Sequence, residues 1–279
     1  MITGIGTGNG VGLIRGGVPS TGLSDPSSLP GVAHWYNRGL GITLTSGKAS
    51  RVEDQVGSID WLDTVGSASR RFSYQDQPLL DGGKEIVSPY PTGMETVDAD
   101  AADSAVGWNL TFPFTILAFA RVSYTSGNPS VLFLNTVAGF GNTPSIFRRS
   151  NAAGSCTFQN EMDSSGGNLC LNGSGDTNIN YNETTGANLV AGETTPYQLL
   201  TFEFGVSTWK FYKNGVEKAS NSVGSPQRMT GEQIRFATSS PGFAFSDLIV
   251  LDNQGVTTSI HNDLIGWLNS EYGKSIPTV

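Results

Sequence analysis

The chain is poor in the residues from which most catalytic and metal sites are built. It has two histidines, His34 and His261. They lie far apart, and neither has a partner at a metal-ligand or nucleophile–base spacing. The two cysteines, Cys156 and Cys170, are too few for a disulfide framework and lack the paired spacing of a zinc site. Two free thiols, or one bridge across a hairpin, are the open readings. Charge is scarce as well: charged residues make up 14% of the chain, and 16 basic against 24 acidic side chains give a net charge of −8. Phosphates would meet no clustered cations here, which excludes nucleic acid as a partner; Arg70–Arg71 and Arg148–Arg149 are isolated pairs. No run approaches the ~20 apolar residues of a membrane helix, and the first residues lack the basic start and apolar centre of a signal peptide. The expectation is a protein made in the cytoplasm without a signal peptide, with no membrane partner.

What the chain has in quantity is glycine, 36 residues of it, together with 37% hydrophobic residues. That combination suits many short strands joined by turns and opposes a helical bundle. Residues 197–204 alternate large apolar and polar side chains, and 209–213 resume the pattern before Asn214-Gly215, the pair preferred where both central residues of a hairpin turn need positive φ. Residues 243–251 are apolar enough for a strand covered on both faces, and 112–124 form a central strand. Shorter runs at 35–36, 42–44, 59–62 and 72–74 have the spacing of sandwich strands. Residues 159–194, dense in Asn, Ser, Gly and Thr, read as an exposed hairpin tip or loop. At the end of the chain the period changes. Ile260, Leu264, Trp267, Leu268 and Tyr272 mark one face of a helix, with Thr258 or Ser259 as its cap and Gly273 at its stop.

Residues 1–30 differ from all that follows. Glycine recurs at 4, 6, 8, 10, 12, 16, 17 and 22, and Pro19, Pro26 and Pro30 interrupt any regular element. The spacing matches neither a dinucleotide-binding nor a phosphate-binding loop. Ile5, Val11, Leu13 and Ile14 are apolar with no core of their own, so the stretch reads as an extended arm lying against another surface, with Arg15 available for a carboxylate. The domain itself is expected to begin at Gly31 and run to 279.

The run Trp209-Lys210-Phe211-Tyr212-Lys213-Asn214-Gly215-Val216, residues 245–252, and the closing Glu271-Tyr272-Gly273 carry a resemblance. With Val32–Tyr36, Asp54-Gln55-Val56-Gly57 and residues 114–120, they resemble the laminin-G/concanavalin A-like lectin superfamily over roughly residues 31–276, most closely the copies in bacteriophage structural proteins and bacterial surface proteins. The resemblance implies an all-β fold: a concanavalin A-like antiparallel β-sandwich (jelly roll), with an extended N-terminal arm and a short C-terminal helix packed on it. Buried positions would include Phe114, Ile116, Leu117, Phe119, Trp209, Phe211, Phe245, Leu248, Val250, Trp267 and Leu268.

Two functional expectations follow. The first is a phage virion protein, a capsid decoration (cement) or tail-fibre component on the virion surface, docking through its arm on the major capsid protein or on copies of itself. The second is a carbohydrate-binding adhesin or receptor-binding protein for host-surface glycans, or, less favoured, a polysaccharide depolymerase, with Trp61 and Tyr90 as aromatic platforms beside the Asn-rich region 168–188. An enzyme is not expected: the glycosidase pattern Glu-x-Asp-x-x-Glu is approached by Glu161-Met162-Asp163, but Gly166 stands where the second Glu belongs, and one carboxylate cannot serve as both nucleophile and acid. No cofactor is implied beyond calcium, which some relatives hold on turns like the one containing Asp98, Asp100 and Asp103.

Overall fold

The computed structural model describes residues 22–64, 66, 71–77, 83–87, 94–122, 130–135, 144–150, 156–164, 167–170, 181–182, 197–222, 234–235 and 243–279. Ile5, Val11, Leu13, Ile14, Arg15 and Tyr90 lie outside them. The strands, in chain order, are β1 (Val32–Asn37), β2 (Ile42–Thr45), β3 (Lys48–Val52), β4 (Ile59–Leu62), β5 (Phe72–Gln77), β6 (Gly83–Val87), β7 (Glu95–Asp98), β8 (Ser104–Ala105) and β9 (Phe114–Val122). They continue as β10 (Ser130–Asn135), β11 (Pro144–Ser150), β12 (Cys156–Ser164), β13 (Gly167–Cys170), β14 (Tyr181–Asn182), β15 (Gln198–Phe204), β16 (Thr208–Lys213), β17 (Val216–Ser222), β18 (Ile234–Arg235) and β19 (Phe243–Leu251). The helix α1 (Thr258–Tyr272) follows.

An antiparallel series β1–β19–β9–β15–β16–β17 forms the backbone of the sandwich. Its inner strands β9 and β19 are apolar on both sides because both sides are covered. On one side Tyr36, Phe114, Ile116, Ala118, Phe202, Phe211, Leu248 and Val250 meet Val52, Trp61, Met94 and Trp108 in the inter-sheet core. On the other, Trp35, Leu117, Phe119, Leu199, Ile249 and Leu251 meet Ile260, Leu264, Ile265, Trp267 and Leu268 of α1. Every core position expected from the sequence is buried. The period-2 alternation of β9 and the helical stripe of α1 are two halves of one packing surface.

Local chemistry sets the element ends. Asn214 and Gly215 both have positive φ, 50° and 78°, as the β16–β17 turn demands. The cap of α1 is Thr257, one residue before the pair expected; its side chain accepts from the Ile260 amide at 3.2 Å. Gly273 ends the helix at φ 59°.

Three further differences from the sequence reading have physical causes. Residues 22–30, expected in the arm, belong to the sandwich: Pro26 is buried in a 3₁₀ turn capped by Asp25, and Leu29 packs in the core beneath α1. The stretch from 159, expected as an exposed hairpin tip or loop, holds most of β12 and all of β13: backbone pairing runs from β11 to β12 and from β12 to β13 as a hairpin. Finally, the register excludes a Cys156–Cys170 bridge. Cys170 lies opposite Glu161, five positions along β12 from Cys156, which is ~17 Å at strand rise, whereas a disulfide needs Cα atoms within ~7 Å.

A bulge at Ser246 shifts the register between Phe245 and Asp247 and turns Asp247 toward the helix side. Its fully buried carboxylate accepts from Trp35 Nε1 at 3.0 Å, Asn37 Nδ2 at 2.7 Å, Ser246 Oγ at 3.0 Å and the Tyr272 hydroxyl. These bonds tie β1, β19 and α1 together. Burial raises the Asp247 carboxyl above its ordinary value despite the four donors. Among the described residues no helix is long and apolar enough to cross a membrane.

Candidate functional site

The connection from β3 to β4 curls over the outer part of β1. Its frame is built from two acids. Asp54 accepts from the backbone amides of Trp35 at 3.0 Å and Val56 at 3.1 Å, and its second oxygen lies 2.6 Å from His34 Nδ1. Asp60 accepts from the Asp54 amide at 2.8 Å and from the Arg51 guanidinium at 2.6 Å. Arg51 reaches on to Asp103, 3.1 Å away. Partial burial works to lower the Arg51 pKa; Asp60 and Asp103 together outweigh it and hold the guanidinium above its ordinary value.

Gly57 completes the frame by having no side chain. A Cβ there would stand 2.7 Å from Asp54 Oδ2 and 3.1 Å from His34 Nδ1, so any other residue would push the acid and the imidazole apart. The result is an open polar cleft of about 630 Å³, lined by Arg51, Glu53, Val56, Ser58 and Asp100 around Asp54 and Asp60. The far rim is held in place by the Ala99 amide, which donates to the Ser58 carbonyl at 2.8 Å.

An aromatic box supports this cleft from within. Trp61 packs against Tyr36 and Trp108 with ring centroids 5.8 and 5.7 Å apart, and His34 stacks on Trp108 at 5.8 Å. Trp108 Nε1 donates to the Tyr36 hydroxyl at 3.0 Å, and that hydroxyl donates to the Ile59 carbonyl at 2.6 Å. Burial, and then the nearby Asp54, raise the Tyr36 pKa well above the usual phenol value.

The expected site residues fare differently. Trp61 was expected as an exposed platform and is instead fully buried in the box. Ile59 and Trp61 share a face of β4, and that face packs on the core. Of the three expected calcium ligands, Asp103 is exposed and paired with Arg51, Asp100 lines the cleft, and the Asp98 side chain lies outside the described residues. Among the described residues no three His, Cys, Asp or Glu side chains gather as a metal site. Both histidines pack: His261, on the inner face of α1, has Nε2 3.1 Å from Thr201 Oγ1, and burial lowers its pKa to about 4. Glu161 and Asp163 lie on β12, with side chains outside the described residues.

Arg51, Glu53 and Ser58 were not singled out by their sequence. The one pointer was Asp54-Gln55-Val56-Gly57, which the lectin-like resemblance had marked.

No protein-family model and no curated protein matches the chain. Solved structures do. The receptor binding domain of botulinum neurotoxin D is similar at a TM-score of 0.52 and 10% identity, over 85% of this chain and 52% of that one. The binding domain of botulinum neurotoxin DC in complex with rat synaptotagmin II gives 0.51 at 10% identity, over 88% and 52%. The binding domain of botulinum neurotoxin DC in complex with SialylT gives 0.50 at 10% identity, over 88% and 52%. The likeness is one of fold. It establishes a lectin-like antiparallel β-sandwich, and the chain spans about half the length of the structures it matches.

Proposed function

We propose that this chain is a recognition module that binds glycans on a cell surface through the cleft between Arg51 and Asp100. The observation that carries this reading is the cleft itself. Its volume of about 630 Å³ lies within the ~300–1,000 Å³ of ligand sites, and its floor is the hydrogen-bonded frame of Asp54, Asp60 and Arg51. The neighbours of this fold are binding domains, which supports recognition over catalysis. They favour an adhesin or receptor-binding role over assembly in a virion, whose proposed fastener, Ile5 to Arg15, lies outside the described residues.

In this reading the side chains of the cleft hold the sugar. Asp54 and Asp60 are saturated by their partners and act as scaffold. Glu53 and Ser58 accept or donate to hydroxyl groups, and Val56, 39% exposed, offers an apolar surface to the C–H face of a ring. A glycan array followed by calorimetry on the hits tests the reading, with product analysis to detect turnover. Binding that falls at least about tenfold in Glu53→Ala, the loss of one hydrogen bond to a charged group, supports it. An array blank at high protein concentration removes it.

A further inference from the structure

We infer that the cleft selects neutral, hydroxyl-rich glycans and rejects acidic ones. The inference rests on the glycan-binding reading and fixes the sign of its specificity. Among the described residues, four carboxylates, on Glu53, Asp54, Asp60 and Asp100, line the cleft against the single guanidinium of Arg51. That guanidinium is already committed, bonded to Asp60 at 2.6 Å and to Asp103 at 3.1 Å. Turning it toward a ligand's carboxylate or sulfate would strip Asp60 of its counter-charge. Asp60 is 4% exposed, so that exchange is unfavourable.

The outermost acid makes the selection. Glu53 is exposed, and among the described residues no hydrogen bond or ion pair ties its carboxylate. A carboxylate accepts from hydroxyl donors, which every neutral sugar supplies, and repels another anion brought to the same place. Asp100 stands across the cleft with the same charge. The chain as a whole, at −8, adds a field of the same sign. An anion held ~5 Å from Glu53 near the surface is disfavoured by roughly tenfold to a hundredfold, less at high salt. This cleft would therefore recognise the neutral part of a surface glycan.

The test is calorimetry on the full chain with matched pairs of oligosaccharides: a neutral parent and its sialylated, sulfated or uronic counterpart, at low and at physiological salt. The acidic member is expected to bind at least about tenfold more weakly, with the gap narrowing as salt rises. Glu53→Gln should shrink the gap at least about threefold, and Glu53→Lys should close or reverse it. Both variants keep the melting temperature, because Glu53 is exposed. Equal or tighter binding of the acidic member, or a gap that Glu53→Lys leaves unchanged, overturns the selectivity while glycan binding stands. If neither member of any pair binds, the underlying reading fails with it.

Discussion

Replacing Trp61 by alanine separates the buried position found for this residue from the exposed platform its sequence suggested. The side chain is fully buried, with Tyr36 5.8 Å and Trp108 5.7 Å away by ring centroid. Truncating a buried tryptophan costs about 3–5 kcal/mol, through lost transfer energy and the cavity left where the box cannot collapse. Collapse is resisted here from both sides, because Tyr36 and Trp108 are fixed to each other and to the Ile59 carbonyl. The upper half of that range is expected. For a domain of this size each kcal/mol moves the melting temperature by about 2–4 °C, so the variant should melt roughly 8–20 °C lower. Urea unfolding followed by far-UV circular dichroism is the assay, since tryptophan emission changes with the mutation itself. Trp61→Phe should recover much of the loss. A cost under about 1 kcal/mol, accompanied by loss of glycan binding, would return Trp61 to the surface and refute the packing described.

Trp267→Ala should cost about 3–5 kcal/mol, because the ring is the helix's contact with Trp35, edge-on at 6.2 Å; a loss under about 1 kcal/mol in the same assay would contradict this. His261 is neutral in the fold, its pKa lowered from 6.5 to about 4, so its contribution is complete above pH 6.5 and is lost as pH falls toward 4, by up to about 3 kcal/mol. His261→Gln should flatten that part of the stability profile, and an unchanged acid slope would remove His261 as its source. Deleting residues 1–21 should leave a folded sandwich, whereas deleting 1–30 also removes Pro26 and Leu29 from their buried positions and should lower the melting temperature measurably. Equal stability of the two truncations would show that the 22–30 segment is not part of the core.

The parts of this protein legible from its sequence are those decided within a few residues. The Asn214-Gly215 turn follows from the φ values those residues tolerate. The stripe on α1 and the alternation of β9 follow from the periods of helix and strand, and both pointed to the correct buried faces. Many short sandwich strands were legible for the same reason, while the lectin-like form of the sandwich came from the resemblance carried by residues 209–216 and 245–252. The cleft was not, because its parts meet only through long-range register. Asp54 finds His34 twenty positions away, and Arg51 finds Asp103 fifty-two positions away. Trp61 shows the same boundary from the other side: its chemistry suits a sugar or a core equally well, and only the partners brought by β1 and by the segment holding Trp108 decide between them. Composition and period choose which faces are apolar; the pairing of distant strands chooses which polar groups stand together, and so where a ligand can bind.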